Sequence, residues 1–172
     1  MTPTVRISLG EGALGASGWE YITANKGGVE ESLAVLHEEV FEELYGRDDD
    51  YGSVEELWAD EEFMGEEGTH SILDIQRVVH TSAAPSTHAV EDYGTLRPMA
   101  PDRILHHFGA DRPTPERFQE LLDESYAAMD RPPHDRGGTL LDECRMRWTG
   151  LCVVLYTGEE PSHLGIFGYW GD

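Results

Sequence analysis

Lysine is almost missing from this chain of 172 residues. Lys26 stands alone beside eleven arginines, and these twelve cations face 34 Asp and Glu. So few cations exclude the continuous basic surface that releases counterions from a nucleic-acid backbone. They also exclude electrostatic attachment to an anionic membrane. The codon usage of a GC-rich genome produces an arginine bias of this kind. High acidity with little lysine also suits a salt-loving host, in which case the charge would be host adaptation only.

Cysteine is scarce too. Cys144 and Cys152 do not make the disulfide framework of a small secreted domain. No apolar run approaches the roughly 20 residues that span a bilayer. The opening MTPTVRISLGEG lacks a charged n-region followed by an apolar h-region, so it does not read as a signal peptide. These absences lead to the expectation of a soluble, cytoplasmic protein. Hydrophobic residues at 39% and a mean hydropathy of −0.45 leave enough apolar content for a real core.

Catalytic and metal motifs are missing or broken. There is no GxSxG elbow and no GxxxxGK[ST] phosphate loop. Gly10-Glu-Gly12-Ala-Leu-Gly15 has the spacing of a dinucleotide fingerprint. However, Gly18 weakens the helix that must follow, and no βαβ unit succeeds it. Asp48-Asp-Asp50-Tyr-Gly52 fits no register of an EF-hand loop. Adjacent His106 and His107 would point about 100° apart on a helix, His37-Glu-Glu lacks the second His of HExxH, and the cysteine spacing is not that of a zinc knuckle. The expectation is neither metal nor cofactor.

What the chain does have is a block of acid. Between Gly28 and His70 there are sixteen Asp or Glu against Arg47, a charge of about −15 at reference pKa values. From Ser71 to Asp172 the balance is milder, with sixteen acids against nine arginines, and the whole chain carries −22.

Apolar spacing predicts the elements. Val5–Leu9 and Trp19–Thr23 read as strands, and Val29–Tyr45 as an amphipathic helix on the stripe Leu33, Leu36, Val40 and Leu44. Ser53 and Glu56 form a capping box for a second helix over about Val54–Met64. Ile72–Val79 reads as a strand and Thr81–Pro101 as loop. Pro101–Phe108 ends at Gly109 as a short helix, and Thr114 caps a helix to about Met129. Leu140–Trp148, Leu151–Tyr156 and Leu164–Trp170 form a candidate β-meander turning at Thr149-Gly150 and Gly158–Pro161. The predicted fold is a single α+β domain over residues 1–172, an antiparallel sheet with three to four helices packed on it. In that register Cys144 and Cys152 fall on opposite sheet faces, so both thiols are expected free.

The acidic block also supplies the candidate site. Glu38 and Glu42 repeat one sign at i,i+4, as do Glu39 and Glu43, where a surface optimised for stability would place a cation. Asp48, Asp49, Asp50, Glu55, Glu56, Asp60, Glu61 and Glu62 extend the field, and Trp58 stands among them as an aromatic anchor. Such a face steers a basic protein toward it. By analogy of charge and size, the leading expectation is an inhibitor of the immunity or antitoxin kind that caps a basic site on a nuclease-like toxin, with DNA mimicry in the same class. The alternative is an enzyme or ligand-binding domain using His106, His107, His134, Arg145, Arg147 and His163 in the C-terminal half.

Overall fold

The computed structural model describes residues 16–47, 49–86 and 90–171. The expected strand Val5–Leu9 and the glycine motif Gly10–Gly15 lie outside the described residues. Among the described residues five strands form one sheet: β1 (Ala16–Ala24), β2 (Arg77–Val78), β3 (Thr95–Pro98), β4 (Thr149–Thr157) and β5 (Glu160–Gly171). Their order is β1-β5-β4-β3-β2. β5 is antiparallel to both of its neighbours, whereas β4, β3 and β2 pair in parallel. The sheet is therefore mixed, which corrects the antiparallel expectation. A crossover of two helices separates β3 from β4, as parallel neighbours require.

Helices cover both faces. On one side lie α1 (Val29–Leu44), α2 (Val54–Ala59) and α3 (Glu61–Glu66). Leu33, Leu36, Val40, Phe41, Leu57 and Met64 of these helices pack with Trp19, Tyr21, Leu96, Cys152 and Ile166 of the strands. On the other side lie α4 (Pro101–Phe108) and α5 (Pro115–Met129), whose Phe108, Phe118, Leu121 and Leu122 meet Val153, Leu155 and Phe167. β5 stays thin where rings lie on it. A Cβ on Gly165 would stand 2.6 Å from the Phe118 ring.

Three helices form where their caps and apolar spacing predict. The Thr114 hydroxyl accepts from the Arg117 N–H at 3.2 Å, and Gly109 closes α4 at φ 71°. The expected helix Val54–Met64 is two helices instead. Asp60 leaves helical geometry at φ −79°, ψ 81°, and its carboxylate caps the new start by accepting from the Phe63 N–H at 3.0 Å.

The strand expectations fail in three places. Ile72–Val79 begins as a 3-10 turn, Ile72–Asp74, capped by Ser71, and only Arg77–Val78 pairs as a strand. The expected loop Thr81–Pro101 contains β3, too short to show periodicity. The meander loses its first strand. Leu140, Cys144 and Met146 are buried, but they cap a core from a 3-10 turn and irregular chain, Leu141–Glu143 and beyond. Thr149-Gly150 is the start of β4 and not a turn, with Thr149 paired to both Thr95 and Tyr169. The turn at Gly158 stands, with φ 64°. Both cysteines are free and buried. Cys144 lies in the α4–α5 core and Cys152 in the α1–α3 core, so it is the sheet that separates them, and the expected hairpin does not exist. Among the described residues no helix is long and apolar enough to cross a membrane.

Candidate functional site

Parallel strands start at the same edge of a sheet. The residues just ahead of β2, β3 and β4 are Asp74 and Gln76, Tyr93 and Gly94, and Arg147 and Trp148. They converge, and α2 and α3 add Trp58, Glu61, Met64 and Glu66, enclosing a cleft of about 740 Å³. Backbone bonds tie the three approaches together. The Gln76 and Arg77 N–H groups donate to the Gly94 carbonyl at 2.8 and 3.1 Å, and the Gly94 N–H donates to the Trp148 carbonyl at 2.7 Å.

Two non-glycine residues with positive φ flank this edge, His70 at 55° and Trp148 at 64°. That conformation costs roughly 1–2 kcal/mol for an L-residue and persists only where surrounding structure enforces it. For Trp148 the bond to Gly94 enforces it. The result sets the indole against Tyr93, with centroids 6.3 Å apart. Trp58 forms another wall. Its N–H donates to the Leu73 carbonyl at 2.8 Å, and it meets the buried His37 edge-on at 5.2 Å.

Asp74 lines the same cleft and is only 3% exposed. One carboxylate oxygen, Oδ1, accepts from the Thr69 N–H at 2.6 Å and the Thr69 hydroxyl at 2.9 Å. The other, Oδ2, is buried without a hydrogen-bond partner. Burial pushes the carboxyl above its ordinary range, against the lowering effect of the two Thr69 bonds and of the neighbouring His70. Among the described residues the lining combines three aromatic side chains, Trp58, Tyr93 and Trp148, with the carboxyl groups of Glu61, Glu66 and Asp74 and the guanidinium of Arg147.

The acidic residues divide by role. Glu38, Glu42, Asp49, Asp50, Glu55, Glu61 and Glu62 are exposed and form no ion pair among the described residues; Asp48 lies outside these. Glu56 and Asp60 also serve the fold. The Glu56 carboxylate accepts from the Gly52 N–H at 2.6 Å, and Asp60 accepts from Tyr51 Oη at 2.8 Å in addition to capping α3. Of the acidic-block candidates, Trp58 and Glu61 reach the cleft. Asp74, Tyr93 and Trp148 were not singled out. The signal for Asp74 was an acid inside the apolar run Ile72-Leu73-Asp74-Ile75.

The alternative set in the C-terminal half is dispersed. His106 and His107 join Arg117, Arg131 and Arg136 around a polar cleft of about 320 Å³, and His107 Nε2 lies 2.7 Å from Glu143, which also accepts from Arg103 at 2.9 Å. Arg145 lines a different cleft, Arg147 the aromatic one, and His134 is exposed beside Asp135. His163 hydrogen-bonds Ser162 in β5. Among the described residues no three His, Cys, Asp or Glu converge to hold a metal ion. No protein-family model, curated protein or solved structure matches this chain.

Proposed function

We propose that this chain is a small acidic binding protein that engages a basic protein partner through the outer face of α1–α3, in the manner of an immunity or antitoxin-type inhibitor. The observation that carries this reading is the exposed acid of that layer: Glu38, Glu42, Glu55, Glu61 and Glu62 form no ion pair among the described residues, whereas Glu30 pairs with His80. None of the three helices has a basic residue in its last turn, where one would complement the helix dipole. Glu38 and Glu42 stack like charges outward while Leu36 and Val40 fill the core. A surface that forgoes local stabilisation in this way favours an external cation source, and steering by such a field raises association rates.

The test is association of the captured partner as salt rises, for the wild type and for a variant with Glu38, Asp50, Glu55 and Glu62 changed to Lys. Glu56 and Asp60 are left intact because they cap helices. The reading requires a steep fall in on-rate with salt and a slower variant. A variant that associates at the wild-type rate sinks it. A second reading, a domain binding a small anion, rests on the three arginines around the His106–His107 cleft. Saturable binding of inorganic phosphate, lost in Arg131→Ala, would support it.

A further inference from the structure

We infer that the cleft at the amino ends of β2, β3 and β4 receives an arginine side chain of the partner protein, an inference that rests on the acidic binding-protein reading above. Three aromatic side chains, Trp58, Tyr93 and Trp148, stand around one opening. Aromatic faces attract cations, and the planar, weakly hydrated guanidinium stacks on them better than an ammonium does. The charges agree with the rings. Glu61, Glu66 and Asp74 line the cleft against Arg147 alone.

The Asp74 carboxylate is the second, independent sign. Buried polar groups are ordinarily satisfied, yet Oδ2 has no partner beneath a cleft walled by aromatics. A carboxyl buried there is drawn toward its ionised form by a cation placed above it, because their interaction is screened far less than in water. The strained backbone at Trp148 is the third sign. It is an outlier enforced by hydrogen bonding at the wall of the opening, and such strain collects at binding sites. The cleft also adjoins the acidic face, since Trp58 and Glu61 belong to α2 and α3. A basic partner steered to that face would meet the cleft at its border, where a buried aromatic or arginine anchor carries much of an interface's affinity.

The probe is the peptide acetyl-Gly-Arg-Gly-amide, followed by the indole N–H resonances of Trp58 and Trp148. Its citrulline counterpart serves as the neutral isostere and agmatine as the free small cation. The arginine peptide should shift both indole signals saturably, and the citrulline peptide should bind at least tenfold more weakly. Tyr93→Ala, at a residue 37% exposed, and Asp74→Asn should each weaken the peptide at least tenfold while keeping a folded spectrum. Equal binding of the citrulline peptide, or no shift at either indole, overturns the inference. Agmatine binding tenfold tighter than the peptide assigns the cleft to a free small amine and overturns it as well. The two readings separate on the natural partner. If Glu38, Asp50, Glu55 and Glu62 reversal slows the partner while both cleft variants hold it at wild-type affinity, the cleft inference alone falls. If the cleft variants release the partner and the reversal has no effect, the acidic-face reading falls and the cleft stands.

Discussion

The indole N–H of Trp58 donates to the carbonyl of Leu73 at 2.8 Å, one residue ahead of the buried Asp74. This single bond joins the acidic helical layer to the approach of β2. Trp58→Phe keeps most of the ring packing but leaves the Leu73 carbonyl without that donor. An unsatisfied buried acceptor costs about 1–3 kcal/mol. Urea unfolding should show a loss of that size with an unchanged m-value. A neutral result would mean that the bond contributes nothing net.

His37 should make the fold acid-sensitive. Burial lowers its pKa from 6.5 to about 4. The unfolded chain takes up this proton below pH 6.5 and the folded chain resists it. Stability from this group is therefore complete above pH 6.5 and is lost as pH falls toward about 4. Linkage sets the loss on the order of 3 kcal/mol. His37→Gln should flatten the stability profile across that window, as measured by denaturant midpoints at stepped pH.

Asp74 works in the opposite sense. Its folded pKa is raised by burial, so its charged form is disfavoured in the native state. The penalty is in force above the folded pKa and is relieved as pH falls toward the ordinary carboxylate value. Asp74→Asn preserves an acceptor for Thr69 and removes the buried charge. It should be as stable as the wild type at pH 7, or more so. A loss above about 3 kcal/mol, the size expected from breaking a buried ion pair, would show that Oδ2 has a partner in solution.

The two cysteines should be silent in the native protein. Burial pushes the Cys152 thiol up to about 12, and only the thiolate is reactive. A thiol reagent at pH 8 should leave Cys152 unlabelled until denaturant is added, then count two thiols per chain. Fast native labelling of Cys152 would contradict its burial against the α1–α3 layer.

Gly165 should not tolerate a methyl group. The Phe118 ring is fully buried and would lie 2.6 Å from the new Cβ, far inside normal contact. Overpacking of this kind costs about 1–3 kcal/mol. Gly165→Ala should lose that much in thermal or urea unfolding, and Gly165→Ala with Phe118→Leu should recover part of it.

Helices α1, α4 and α5 could be read from the chain because their information is local. A stripe at three- and four-residue spacing sets the buried face, and Thr114, Pro115 and Gly109 mark the ends within one turn. The acidic outer face was legible for the same reason, since i,i+4 neighbours on a helix follow from number alone. Sheet pairing is not local. β3 has four residues, and what makes it a strand is parallel pairing with β2 and β4, the latter 54 residues further on at Thr95↔Thr149. The alternation from Leu140 to Trp148 looked like a strand because burial in an irregular segment can copy a period of two. The cleft lay further out of reach. Trp58, Asp74, Tyr93 and Trp148 come from four separate segments, and only the alignment of three parallel strand starts brings them together. Composition and periodicity determined the charge, the helices and their outward faces. The tertiary structure decided strand direction, the burial of Asp74 and the meeting of the aromatic rings, because each depends on contacts between residues distant in the chain.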